Sequence, residues 1–126
     1  VLESELLDAV VGVAHLYGWR CAHFRPAKTA HGWRTPVQFD AKGWPDLVLV
    51  RGHRMIAAEL KSDSGHVTAE QEQWLADFAG AGLEAYVWRP GDLQSIAEVL
   101  ATKNAPCAVC VSTVELTRHA ASVGGA

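Results

Sequence analysis

Apolar residues recur along the chain with two different periods, and these divide it into helices and strands. Over 4–18, Leu6, Val10, Val13 and Tyr17, with Leu7, Val11 and Ala14 beside them, fall at steps of three and four, which predicts an amphipathic helix. Ser4 is placed to cap its start and Gly18 to stop it. Residues 19–25 alternate and predict a strand. Residues 26–45 are polar and broken by Pro26, Gly32, Pro36, Gly43 and Pro45, so they read as a long loop, and in a small domain such a loop goes with function. Residues 46–50 form a strand of the buried type, Gly52 marks a turn and 55–60 form a second strand, so these two pair as a hairpin.

Further on, Thr68 and Gln71 make a T-x-x-Q capping box at the head of a helix over 68–80, whose apolar face is Trp74, Leu75 and Phe78. Residues 83–88 read as a short strand. Asp92 then caps a last helix carrying Leu93, Ile96, Ala97 and Leu100. The order α-β-β-β-α-β-α predicts an α/β fold, a small mixed β-sheet flanked by helices. The pattern holds over 1–103, one domain. Over 104–126 it weakens into an extension with one further strand (105–114) or a dimer contact, ending in a frayed tail at 122–126.

Composition sets the bounds. With 126 residues, 49% apolar and 20% charged, the chain has the make-up of a single globular domain with one core. No apolar run approaches the ~18 residues of a membrane span and no leader pattern opens the chain, so the expectation is a soluble protein that makes no use of a membrane. Three cysteines, Cys21, Cys107 and Cys110, make neither an even disulfide framework nor two zinc-ligand pairs, which suits a reducing cytoplasmic interior. The net charge of −3 hides a division: residues 19–54 hold seven of eleven basic side chains and two of fourteen acids, so that segment is +5 and the remainder −8. A basic patch on an acidic body suits a face that meets a polyanion.

The candidate chemistry lies at the ends of the hairpin strands. Pro45-Asp46 heads one strand and Glu59-Leu60-Lys61 ends the next. Side chains alternate along a strand, so Glu59 and Lys61 share a face, and antiparallel pairing brings Asp46 beside them. Two carboxylates are hard oxygen ligands for Mg²⁺ or Mn²⁺, and the backbone carbonyl of Leu60 adds a third oxygen. Such an ion polarises a phosphodiester and activates a water, while Lys61 serves that water and offsets developing charge. The competing reading is an ordinary E-x-K salt bridge on a solvated face. The histidines show no ligand spacing such as H-E-x-x-H, and neither a Gly-rich phosphate loop nor a G-x-S-x-G elbow occurs.

Gly43-Trp-Pro-Asp-Leu-Val-Leu-Val50, Ala58-Glu-Leu-Lys61 and Thr68-Ala-Glu-Gln-Glu-Gln-Trp74 together resemble the VRR-NUC branch of the PD-(D/E)xK nuclease superfamily, stand-alone phage and bacterial proteins similar to Holliday-junction resolvases. The resemblance runs from about Ser4 to Leu100. It implies a restriction-endonuclease-like core and a metal-dependent DNA endonuclease acting in a bacterial or phage-infected cell on duplex, flap or four-way-junction DNA. Resolution of a junction would need a homodimer. Carried over residue by residue, it implies Asp46 and Glu59 as metal ligands, Lys61 as the catalytic lysine, Gln71 as the helix glutamine, and an acid of the first helix near the metal, for which Glu5 is the best match and Glu3 a substitute.

Two of these residues have other employment in the sequence itself. Gln71 is the third helical position of its capping box, and capping and site duty together would need two rotamers. Glu5, in a first helical turn, is favourable against the helix dipole. In the loop, Arg25, Lys28, Arg34 and Lys42 interleave with Trp33 and Trp44, as in proteins that grip phosphates with cations and unstacked bases with rings. Trp44 reads better as a core residue, which leaves Trp33 as the ring of this set. The alternative to an enzyme is a non-catalytic nucleic-acid-binding module with the same fold, in which Asp46, Glu59 and Lys61 form a structural ion cluster.

Overall fold

The computed structural model describes residues 2–24, 27–30, 32–34 and 38–103, with 27–29, 33 and 34 described as backbone. Helix α1 (Glu3–Leu16) buries Leu6, Val10 and Ala14, one stripe at a spacing of four. It begins earlier than predicted, and Ser4 is not its cap: Ser4 lies inside the first turn. The start is set instead by Glu5, whose carboxylate reaches back three residues to accept the Leu2 N–H at 2.8 Å. At the other end Gly18 adopts φ +84° and the Trp19 N–H bonds the Ala14 carbonyl, a Schellman stop at the predicted glycine.

Strand β1 (Arg20–His23) follows, shorter than the 19–25 expected. The expected loop over 26–45 is not wholly irregular: β2 (Ala27–Thr29) and β3 (Gly32–Arg34) pair as a small antiparallel hairpin apart from the main sheet. Three-residue strands between prolines are too short to show a period, so sequence patterning misses them. Strands β4 (Leu47–Arg51) and β5 (Arg54–Leu60) make the predicted hairpin around Gly52, with Leu47 opposite Ala58 and Leu49 opposite Ile56.

Helix α2 (Ala69–Gly80) crosses over to β6 (Glu84–Trp88), which lies parallel to β5. A single 3₁₀ turn at 90–92 leads into α3 (Leu93–Ala101). Asp92 is at the head of α3 but does not cap it with its side chain; its carboxylate instead accepts the Arg89 N–H at 2.9 Å, because the intervening 3₁₀ turn points it backwards.

Among the described residues the main sheet has the order β1-β4-β5-β6, antiparallel except for the last pair. This is the mixed α/β sheet flanked by helices that the sequence predicts. Its two faces bury different helices. Leu47, Leu49, Ile56, Ala58, Leu60, Tyr86 and Trp88 pack with Leu6, Val10, Ile96 and Leu100 of α1 and α3. Ala85 and Val87 pack with Leu75 and Ala79 of α2. Each leucine removed wholly from water in the first layer contributes roughly 1.5–3 kcal/mol. By alternation Glu59 projects from the opposite face of β5 to Ala58 and Leu60, the face that α2 covers.

Two arginines of the basic segment, Arg54 buried and Arg51 half-buried, are engaged by the fold. Arg54 is buried in a bidentate pair with Glu84, at 2.9 and 2.6 Å, and donates to the carbonyls of Val99 and Thr102. Arg51 donates to the carbonyls of Tyr17, Leu100 and Thr102. Both guanidinium groups stack on Trp19, 4.7 and 4.9 Å from its ring centre. They therefore tie α3 to the sheet and do not belong to the polyanion-facing patch that charge counting assigned to 19–54. The expected strand or dimer contact in 104–126, with Cys107 and Cys110, lies outside the described residues.

Candidate active site

Asp46, Glu59, Lys61 and Gln71 come together where the hairpin meets α2. The β4–β5 register, continued by one residue, sets Asp46 opposite Glu59. Asp46 Oδ2 accepts the Leu60 N–H at 3.0 Å, which fixes the carboxylate at the strand end. In a strand the N–H and C=O of one residue leave by the same edge, so the Leu60 carbonyl, the predicted third oxygen, faces the edge where Asp46 sits.

Glu59 is only 1% exposed, an unusual place for a carboxylate. Its Oε1 accepts the Gln71 side-chain N–H at 2.9 Å and lies 3.6 Å from Lys61 Nζ. Its Oε2 is buried without a hydrogen-bond partner. Burial, reinforced by the charge of Asp46 and by a hydrogen bond that the protonated carboxyl shares with Asp46, pushes the Glu59 carboxyl up to about 9; Lys61 opposes the shift more weakly. The E-x-K pair is thus no solvated surface bridge: both side chains are largely covered.

Gln71 caps its helix and reaches Glu59 in one conformation, so contact with the carboxylate cluster does not require the second rotamer that the sequence reading expected. Its oxygen accepts the Thr68 N–H at 2.9 Å and its nitrogen donates to Glu59, while Thr68 Oγ1 accepts the Gln71 N–H at 3.2 Å. The two ends of one amide can serve a helix start and a strand end because α2 begins directly over β5.

The donor set suits a hard divalent ion. An unpartnered buried carboxylate oxygen beside a second carboxylate is a destabilised arrangement that a cation between them would relieve. Among the described residues no group of three or more His, Cys, Asp and Glu converges as a ready ligand cage. The remaining positions would fall to the Leu60 carbonyl, water and substrate, as is usual for Mg²⁺. Glu5 is not drawn in: it is exposed and bonded to Leu2, and among the described residues no hydrogen bond or ion pair joins it to Asp46, Glu59 or Lys61. Glu3 is likewise exposed on α1.

The predicted nucleic-acid contacts are described only in part. Arg25 and the side chains of Lys28, Trp33 and Arg34 lie outside the described residues. Lys42 is exposed, its ammonium 3.3 Å from Glu70 Oε1. Trp44 packs as expected, in edge-on contact with Phe24, Trp74 and Phe78.

Sequence reading missed the supports of the site. Gly43, at φ +89°, presses its backbone against the first turn of α2, where a Cβ would stand 2.5 Å from the Glu70 carbonyl carbon. Trp74 Nε1 donates to the carbonyls of Asp40 and Lys42. Arg89 Nη1 donates to the carbonyls of Ser62 and Gly65 and so shapes the loop after Lys61. A cation directly after a strand, as Arg89 is after β6, was the available signal, since parallel pairing of Leu60 with Trp88 makes it the neighbour of Lys61.

Compared with known proteins, the chain matches no family model and no curated protein significantly. Among the described residues no helix is long and apolar enough to cross a membrane.

Proposed function

We propose that this chain is a divalent-metal-dependent endonuclease that hydrolyses DNA phosphodiester bonds. The observation that carries the reading is the buried Glu59 with its unpartnered Oε2, set beside Asp46 and flanked by Lys61 and Gln71. In a purely structural ion cluster two desolvated carboxyl groups side by side are a cost, since only one of them ionises readily without a cation between them. The resemblance of the G-W-P-D, E-L-K and T-x-x-Q segments to PD-(D/E)xK nucleases of the VRR-NUC branch supports the same reading.

Asp46, Glu59 and the Leu60 carbonyl would hold Mg²⁺ or Mn²⁺, which supplies polarisation of the phosphoryl oxygens and an acidified water. Lys61 orients the attacking water and offsets negative charge as the phosphorus becomes five-coordinate. Gln71 fixes Glu59 Oε1, which would leave Oε2 for the cation. Arg25, Lys28, Trp33, Arg34 and Lys42 are proposed to hold the DNA through phosphates and ring faces. Flap and four-way-junction DNA are the proposed branched substrates, the junction by a homodimer whose two sites cut two strands. The resemblance to stand-alone phage and bacterial proteins supports a working place in the cytoplasm of a bacterial or phage-infected cell.

The test is cleavage of labelled single-stranded, duplex, flap and four-way-junction DNA with Mn²⁺ or EDTA, for wild type and Lys61→Ala. Mn²⁺-dependent cutting that falls at least 100-fold in the variant is expected from loss of a group acting on the water. Binding without cutting under every metal condition would leave the nucleic-acid-binding module in its place.

A further inference from the structure

Phe39 is the most exposed large apolar side chain described, 98% open to solvent, and it adopts φ +58°. That backbone region is disfavoured for any residue with a Cβ, and for a bulky ring it is an outlier held only by its surroundings. The residues after it are held by hydrogen bonds. Trp74 Nε1 donates to the carbonyls of Asp40 and Lys42, the Ala41 N–H bonds the Gln38 carbonyl across Phe39, and the Trp44 N–H bonds the Ala41 carbonyl. Gly43 rests against α2. A strained turn that spends four such contacts to hold a ring in water is not a scattered surface hydrophobe.

The turn is also part of the site's framework. Trp74, which holds it, is one helical turn from Gln71, and Trp44-Pro45 carries the chain from it into Asp46. Asp46 follows Phe39 by seven positions, a reach of at most about 25 Å even if extended. Lys42 adds an exposed cation on the same turn, its surface pair with Glu70 weak enough to yield to a phosphate. Asp40 opposes charge-based binding beside the ring, so the ring's own contribution must come from stacking.

We infer that Phe39 is a stacking residue for an unpaired nucleobase, placing an unpaired segment of the nucleic acid next to the Asp46–Glu59 centre. The inference rests on the nuclease reading and narrows it, because a duplex offers a ring no free base face except at its ends, whereas a branch or single strand does.

The experiment compares wild type, Phe39→Ala, Phe39→Trp and Phe39→Gly. A short fluorescein-labelled single strand of mixed sequence and a blunt-ended duplex of the same sequence are titrated by anisotropy in EDTA. Phe39→Ala should weaken single-strand binding between about 5- and 150-fold, with a smaller loss on the duplex. Phe39→Trp should retain the wild-type affinity. Phe39→Gly should melt no lower than wild type, since it relieves the left-handed strain, yet bind as poorly as Phe39→Ala.

Equal binding by wild type and Phe39→Ala overturns the inference while metal-dependent cleavage by both leaves the nuclease reading standing. Loss of binding in Phe39→Trp as well overturns stacking. A wild-type dimer that Phe39→Ala dissociates in sedimentation overturns it in favour of self-association. Wild type that neither binds nor cuts DNA overturns both readings.

Discussion

Gln71 Nε2 donates to Glu59 Oε1 across 2.9 Å while the other end of the same amide caps α2. One side chain therefore couples the start of a helix to the orientation of a buried carboxylate. Gln71→Ala should cost about 1 kcal/mol of stability through the lost cap. Activity should fall further than that, by 10- to 100-fold, since Glu59 loses the contact that fixes its carboxylate. Gln71→Glu keeps an acceptor for Thr68 but sets a second acid against Glu59, so it should melt near wild type and still be inactive. Melting curves and Mn²⁺-dependent cleavage of the same preparations separate the two duties.

The Glu59 carboxyl has a folded pKa of about 9 against an ordinary value of 4.5. The unfolded chain therefore releases this proton first as pH rises. Its contribution to stability is complete below about pH 4.5 and is lost as pH climbs through 9. In EDTA the melting temperature should fall over that window, and Glu59→Gln should flatten the fall and be the more stable protein at pH 8. Cation binding needs the ionised carboxylate, so Mn²⁺ should raise the melting temperature more at pH 8 than at pH 6. A Mn²⁺ shift that does not change with pH, or persists in Glu59→Gln, would remove Glu59 from the ligand set.

The hairpin, the capping box and the E-L-K alternation were legible because each is local: the period places Glu59 and Lys61 on one face, and turn chemistry at Gly52 sets the register that brings Asp46 across. What stayed hidden was non-local. Nothing in the spacing of Arg51 and Arg54 says that Trp19 and the end of α3 will claim them, so charge counting placed them on a binding face. Glu5 could be read as a site acid or a cap from sequence alone, and only the three-residue reach to Leu2 shows it engaged as a cap. The dual use of Gln71 depends on α2 starting over the end of β5, a packing relation that a capping motif cannot reveal.

Arg54 and Glu84 form a buried ion pair whose carboxylate also accepts the Tyr86 hydroxyl at 3.1 Å. Removing one partner strands the other in the core, so Glu84→Ala should lose about 3–5 kcal/mol. Replacing both with apolar residues, Arg54→Met with Glu84→Leu, should recover much of that loss while still freeing the Val99 and Thr102 carbonyls that Arg54 now satisfies. The pair acts on the far side of the sheet from α2. Denaturant titration should therefore show large stability changes with an unchanged Mn²⁺ requirement in whatever fraction remains folded.

Gly43 is the point at which the loop bearing Asp46 touches α2, and it leaves no room for a side chain. In Gly43→Ala the new methyl would meet backbone of Glu70 at 2.5 Å and of Gln71 at 2.7 Å, and φ +89° is unsuited to alanine. Neither obstacle is a flexible side-chain end, so relief must come from the loop moving off the helix. That movement shifts Asp46 three residues on and slackens the Trp74 hold on Asp40 and Lys42. A loss of roughly 1–3 kcal/mol is expected. The site should suffer more than the fold, because catalytic geometry tolerates only fractions of an ångström. Cleavage measured well below the melting temperature should drop at least tenfold, and Gly43→Ala with wild-type activity would show that the loop and α2 are not tightly coupled.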